Sequence, residues 1–423
     1  MLEKPKLFLN YKEFLSALLV FIIILSIRLA FLYSEYKSFI SKPFYFTTVK
    51  VLQQYKKEKN KKSYIILRVY SKDLDLNFFT TIYKDINLID KNIRLKLFPS
   101  KNISFKDYLI SSYIKSNINR VEDSSKNIKS ILLDKIASQH KFETISQFYQ
   151  AIFLAKPISR SLRRSVSKLG VSHLIALSGF HLAIVWGILF FILNPIYKLF
   201  QQKYFPYRFN LIDIGLIILV ILALFVWGVD SPASLVRSYV MMALGWLLLV
   251  FGMELISFSF LITSIAIIVT IFPKMLLSLS FWFSIAGVFY IFLLLERFND
   301  RNKILMTLII SFGIFILMLP IVHILFPLTN IYQLYSPLLS LAFTIFYPLT
   351  IFLHIINFGW IFDNLLINLF TVESSSIEIK LSLIYGIIYI ILSIGAIYSK
   401  WLFYLLFLVS TLFIGYMFIW FMI

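Results

Sequence analysis

The sequence predicts a polytopic α-helical membrane protein that carries a small β-barrel domain and flanking amphipathic helices. Two observations predict the membrane part. Apolar residues make up 59% of the 423, and several apolar runs reach about 18 residues, long enough to cross a bilayer as helices. A third observation predicts the soluble part: between the first apolar run and the others lies a polar region, residues 34–170. In it, period-two alternation gives way to a helical period.

The first run, Phe14 to Tyr33, follows Lys4, Lys6 and Lys12 and lacks the small-residue cleavage site of a signal peptide. Residues 1–34 therefore read as a retained anchor. In residues 44–100, Val49 and Val51 alternate with Lys50, and Ile93, Leu95 and Leu97 alternate with Arg94 and Lys96. Tyr64–Tyr70 and Asn77–Tyr83 are rich in β-branched and aromatic residues, as strands are. Their lengths suit a small barrel. Residues 101–170 read as amphipathic, interfacial helices. Ile128, Ile131, Leu132 and Ile136 share one face, and Ile145, Phe148, Tyr149 and Ile152 share another. Arg160, Arg163, Arg164 and Lys168 are expected at head-group depth.

Charge is concentrated in the polar region. Residues 34–170 hold 27 Lys+Arg against 11 Asp+Glu, sixteen of the net +20. Abundant Lys, Ile, Phe and Asn also follow from A+T-rich coding, but the field exists whatever its origin. It attracts phospholipid head groups or nucleic acid. Cysteine is absent, which excludes disulfides, thiolate metal sites and thiol nucleophiles.

The hydrophobic half divides into about nine spans, near 171–194, 211–229, 234–251, 255–272, 275–295, 304–326, 337–357, 381–398 and 401–422. Two short loops are basic, one with Lys198, Lys203 and Arg208, the other with Arg297, Arg301 and Lys303. With the N-terminal lysines inside, both loops also fall inside, as the positive-inside preference requires. Residues 34–170 then lie outside the membrane on the trans side. Residues 357–380, with Asp363, Asn364, Asn368 and Glu373, read as re-entrant or interfacial.

One stretch resists a purely structural reading. VSHLIALSGFHLAIV places His173, Ser178, Gly179 and His181 inside an apolar run. On a continuous helix the two histidines lie about 80° apart. Gly179 weakens that helix by roughly 1 kcal/mol relative to Ala, so a broken segment aiming polar groups into a cavity is expected. A buried polar cluster that pins helices together is the other reading of the same residues.

His173-Leu-Ile-Ala-Leu-Ser-Gly-Phe-His181 resembles the H-L-L-A-I-S-G-L-H signature of the competence DNA-channel family, the ComEC type. Ile175, Leu177 and Phe180 depart from it conservatively. Ala151–Lys156 and Arg163–Gly170 look like the family's run into that signature, and Arg237-Ser-Tyr-Val-Met241 is similar to its R-A-x-x-M segment. Pro273 to Ser284 resembles its P…G-F-Q-L-S stretch only weakly, because Ser280, Trp282 and Phe283 replace Gly, Gln and Leu. The resemblance covers roughly 45–345. It implies an extracytoplasmic OB-like domain, then a helical competence (channel) domain at 171–423, and passage of single-stranded DNA into the cytoplasm during natural transformation. Many members add a metallo-β-lactamase-like domain proposed as a nuclease. No H-x-H-x-D-H run occurs here, and the five histidines at 140, 173, 181, 323 and 354 are scattered. No nuclease, cofactor or metal is expected.

OB-like domains hold single strands with basic grooves and aromatic stacking. Lys50, Tyr64, Arg68, Arg94 and Lys96 are the candidate DNA-binding residues. Tyr70, Phe78, Phe79 and Tyr83 supply further rings, although most of these rings suit the barrel core. Candidate pore-lining residues are His173, Ser178, Gly179, His181, Asp230 and Arg237, with Glu254 behind them. Arg237 either contacts phosphates or pairs with Asp230 or Glu254. Moving each nucleotide charge inward against the potential costs roughly 2.3 kcal/mol per 100 mV. No phosphate-cradling Gly-rich ATPase loop is present. Expected partners are therefore single-stranded DNA, membrane lipids, a cytoplasmic ATP-driven DNA translocase and a DNA receptor or nuclease on the trans side. A homo-oligomer is left open. Two rival readings are an intramembrane serine protease, with Ser178 and His323 or His354, and a small-solute or lipid-linked transporter.

Overall fold

The computed structural model describes residues 5–419 except 60–61, 84–85, 89–90, 123–127, 299 and 373–374. Lys4 and Glu373, named above, lie outside the described residues. The chain forms two compact units, residues 10–131 with 265–279, and residues 1–9, 132–264 and 280–423.

In the first unit, helix α1 (Tyr11–Ser41) has 31 residues, more than the roughly 20 needed to span a bilayer. Leu15, Leu19, Ile22, Ile23, Ile27 and Phe31 on it are all exposed. Its last turns bury Tyr36 and Phe39. Strands β1 (Tyr45–Lys59), β2 (Lys62–Ser71) and β3 (Leu76–Ile82) form an antiparallel meander, and β4 (Asn92–Phe98) pairs with the other edge of β1. After α2 (Phe105–Ile110) come β5 (Ser112–Tyr113) and β6 (Lys115–Glu122), separated only by Ile114. β5 runs parallel to β3, while β6 pairs antiparallel with β4, giving the order β5-β3-β2-β1-β4-β6. The hydroxyls of Thr80 on β3 and Ser116 on β6 lie 2.6 Å apart. Val51, Leu67, Val69, Phe78, Ile93, Leu95 and Leu97 are 0% exposed and fill one face.

The strand expectation for 44–100 holds, and one boundary is corrected. Residues 112–122 belong to the sheet, not to the helical region expected at 101–170. Their alternation is faint, with Ile118 as the sole apolar residue between Lys115 and Arg120, and pairing with β4 supplies what the pattern lacks.

The second unit begins within α3 (Ile128–Ala137) and continues through α4 (Glu143–Leu154), α5 (Arg160–Lys168) and the short α6 (Ser172–Ile175). α4 buries Ile145, Phe148, Tyr149 and Ile152, the face its period predicts. α3 buries Leu133 and Ile136, whereas Ile128, Ile131 and Leu132 are exposed. That face is set by α4, whose Gln150 amide donates to the Leu133 carbonyl.

Helices α7 (Gly179–Tyr204), α8 (Asn210–Gly228), α9 (Ala233–Val250), α10 (Phe258–Ile271), α11 (Leu279–Arg297) and α12 (Lys303–Leu325) follow. Then come β7 (Leu328–Thr329), α13 (Ser336–Ile355), α14 (Asp363–Phe370), β8 (Ile377–Glu378), α15 (Leu383–Tyr398) and α16 (Lys400–Ile419). Among the described residues eight helices are long and apolar enough to cross a membrane: α1, α7, α8, α9, α11, α12, the stretch Ile331–Ile355 that contains α13, and α16. The apolar α10 and α15 have 14 and 16 residues.

Polar contacts tie the bundle ends together. Arg297 at the end of α11 donates to the carbonyls of Ala396 and Ile397 at the end of α15. β7 pairs with β8, and Leu381 N–H donates to the carbonyl of His323. The chain therefore leaves α12 and enters α15 at one end of the bundle. α13 and α14 form an excursion between those two joined ends. Composition alone does not separate an apolar helix that crosses from one that returns.

The sheet core predicts unequal costs for two phenylalanines. Phe78→Ala, in the core, should destabilise the protein by about 3–5 kcal/mol. Phe46→Ala, at a residue 51% exposed, should cost only about 1 kcal/mol, the scale of its lost contact with Lys96. Denaturant unfolding of the detergent-solubilised chain reads both.

Candidate functional site

Two surfaces carry the candidate residues, one in each unit. On the sheet, inward residues alternate with outward ones. β1 turns Phe46, Thr48 and Lys50 outward, and β4 turns Asn92, Arg94, Lys96 and Phe98 the same way. Register places Phe46 opposite Lys96, Thr48 opposite Arg94, and Lys50 between Tyr70 and Asn92. On the other side of β4, Asn117 faces Lys96, Lys115 faces Phe98, and Arg120 faces Arg94.

The Lys96 ammonium sits 4.2 Å from the Phe44 ring centroid, 5.5 Å from Phe46 and 5.6 Å from Phe98. Each such contact contributes on the order of 0.5–1 kcal/mol at an exposed site. Arg94 and Arg120 are both exposed and directly opposed, and like charges so placed cost a sheet stability unless an anion lies near them. Tyr70 lies on this outward face. Burial first, then its hydrogen bond to Asp75, pushes its phenol up to about 12, so the ring stays neutral.

Of the expected rings, Phe78 is core and Tyr83 is 81% exposed. Tyr64, Arg68 and Phe79 are half-buried outward residues on β2 and β3. Phe44, Phe46 and Phe98 were not among the candidates. Their signal was parity, since each lies an even number of positions from a polar outward residue.

In the second unit the chain breaks between His173 and His181. α6 ends at Ile175, Ala176–Ser178 is extended or irregular, and α7 starts at Gly179. Ser178 caps α7: its hydroxyl accepts the backbone N–H of His181, and the imidazole Nδ1 of His181 accepts the backbone N–H of Ser178 at 3.3 Å. His181 thus plays the part that Glu or Gln plays in a capping box. It is 0% exposed, edge-on to Tyr347 at 4.8 Å and to Phe343 at 5.3 Å. His173 is exposed instead and bonds Ser340 at 3.1 Å. The break sends the two imidazoles in different directions, so they do not share one face.

α9 lies against this break. Ser234 donates to the Leu177 carbonyl at 2.7 Å, and a Cβ on Gly179 would meet the Ser238 hydroxyl at 3.0 Å. Between those serines sits Arg237, 4% exposed, with its guanidinium 5.8 Å from the Phe281 centroid. Its Nε and Nη1 have no hydrogen-bond partner among the described residues. Asp230 is exposed and left-handed, with φ of 66°, at the turn before α9. Glu254 N–H donates to the Pro5 carbonyl. His323 and His354, the bases of the protease reading, are held elsewhere. His323 bonds the Leu319 carbonyl and Thr329, and His354 bonds the Thr350 carbonyl and His140.

A small sheet unit followed by an apolar helical unit with a capped break defines a class, a multi-pass membrane protein. The competence protein family matches residues 155–422, and the chain belongs to that family. A protein of Aquifex aeolicus (strain VF5), described as uncharacterized, is 26% identical over 261 residues, 61% of this chain and 59% of its own. The chain thus spans about three fifths of that relative's length. No solved structure matches.

Ser178→Ala removes the cap hydroxyl and should lower stability by about 1 kcal/mol. Gly179→Val should cost more, because its Cβ meets Ser238. Thermal unfolding of the two variants checks the order.

Proposed function

We propose that the chain conducts single-stranded DNA across the cytoplasmic membrane, with residues 34–170 on the trans side. The observation that carries this reading is the outward face of β1, β4 and β6 in a member of the competence family. That face interleaves Lys50, Arg94, Lys96, Lys115 and Arg120 with Phe44, Phe46 and Phe98. Rings stack bases without regard to sequence, and opposed cations meet a phosphate chain. We read the sheet as OB-like, with β5 and β6 acting as one strand that joins β3 to β4. Arg297 beside the end of α15 agrees with the inside position of the basic loops.

Within the membrane the strand passes Arg237, whose unpartnered guanidinium nitrogens offer donors to phosphate. His173 and Asp230 flank the route on their exposed side, while His181 and Ser178 hold the break that shapes it. Transport, not catalysis, is the role of this chain. An ATP-driven translocase inside the cell pulls the strand, and a trans-side receptor or nuclease delivers it. Acidic lipids bind the arginines of α5.

Binding of single-stranded DNA to the purified chain tests the face. Lys96→Gln should flatten the log–log salt dependence by about 0.7. Phe46→Ala should weaken binding by about 1–3 kcal/mol. Unchanged affinity in both would remove the sheet from the path. In cells, Arg237→Gln should leave DNA entry into the trans compartment intact and reduce its appearance in the cytosol at least about tenfold. Arg237→Lys should restore part of it.

A further inference from the structure

A cluster apart from these surfaces requires one proton more than its side chains own when two rings are neutral and the carboxyl is ionised. His140, in the turn between α3 and α4, meets His354 near the end of α13 and Asp363 at the start of α14. Its Nδ1 lies 2.8 Å from Asp363 Oδ1, and its Nε2 lies 3.0 Å from His354 Nε2. His354 Nδ1 lies 2.7 Å from the Thr350 carbonyl. A carbonyl only accepts, so His354 Nδ1 carries a hydrogen, and Nε2 of the neutral ring offers a lone pair. His140 Nε2 must donate to it. The third contact, Nδ1 to Oδ1, still needs a hydrogen. Three contacts in line need three hydrogens, whereas two neutral imidazoles supply two.

The third hydrogen makes either a His140 imidazolium against a carboxylate or a carboxylic acid donating to a neutral ring. Both forms satisfy every contact and leave no net charge. Without it, lone pairs face each other or a ring nitrogen faces a carboxylate, away from water. The His140 side chain is 0% exposed and that of Asp363 is 7% exposed. Tyr149 of α4, also 0% exposed, stacks on His140 at 4.6 Å and 7°. Tyr149, His354 and Asp363 are the titratable groups that face His140; Lys141 and Glu143 nearby are exposed. Burial lowers the hold of His140 on a proton and Asp363 opposes that shift, so the proton belongs to the cluster and not to one ring. Gln139 joins the same segments, donating to the His354 carbonyl and accepting the Gly359 N–H.

We propose that His140, His354 and Asp363 form a proton-binding site that fastens the α13–α14 excursion to the α3–α4 turn, so that this contact loosens on either side of one pH. The proposal does not rest on the transport reading. A solvated imidazole titrates near 6.5, so in weakly acidic solution the open cluster holds four hydrogens against three in the closed one. Above about 6.5 it holds two. Protection therefore rises about tenfold per pH unit up to about 6.5 and falls by the same factor above it.

Hydrogen exchange of the full chain in detergent, corrected for intrinsic rates, tests this on peptides from 133–142 and 355–370. A maximum near 6.5 with a falling limb above it is expected. Protection that is flat above 6.5 and climbs about a hundredfold per unit below it overturns the proposal, because that is the signature of two neutral rings sharing no proton. Asp363→Asn is the second arm. Its amide donates permanently to His140 Nδ1 and keeps all three contacts, so the falling limb should vanish while α15 and α16 keep their protection. A falling limb that persists in the variant assigns the proton elsewhere and sinks the site.

Discussion

Lipid offers no hydrogen bonds, so each polar group carried into an apolar bundle must find its partner within protein. Most of the second unit follows from this. Tyr290 meets Ser393, Tyr389 bonds both Ser410 and the Leu317 carbonyl, and Arg297 crowns the last carbonyls of α15. The break before α7 follows as well. Opening a helix at Ala176–Ser178 frees backbone groups, and Ser178 and His181 close on each other to satisfy two of them. The rule has exceptions: among the described residues Arg237 keeps two guanidinium nitrogens without a partner, and Tyr149, His181, Ser264, Arg297, Gln333 and Asp363 keep one buried atom each.

The sheet unit obeys the reverse condition. Its outward face gathers cations beside exposed rings. Arg94 and Arg120 oppose each other across β4 and β6, and three rings crowd the Lys96 ammonium. A sheet selected only for stability has no reason to gather like charges beside exposed phenylalanines. The proposed ligand, a polyanion with flat bases, would fit both features.

The excursion from α12 to α15 joins the two themes inside one unit. It returns to its starting level through the β7–β8 pair, passes the α7 cap with Phe343 and Tyr347, and ends on His140 through His354 and Asp363. Phe343 and Tyr347, which seal His181, thus share helix α13 with His354, which meets His140. Loosening one end of that helix alters the support of the other.

Much of this was legible in the sequence because it is periodic or local. Alternation and β-branched or aromatic content marked Phe44–Phe98 as strands, the 3.6-residue period marked the buried face of α4, and Ser178-Gly179 marked the break. What stayed hidden depends on partners far along the chain. β6 is a strand because β4 offers it hydrogen bonds, not because of its own faint alternation. α13 is as apolar as a span, and only the β7–β8 pairing shows that the chain comes back to the end of α12 before α15 begins. His140 and Asp363 are separated by 223 positions, with no local spacing to connect them. Sequence determined the kind of most elements, since hydrophobic period and turn chemistry act between near neighbours. Tertiary structure decided which polar groups meet, because hydrogen bonds between distant segments exist only once packing has brought them within about 3 Å.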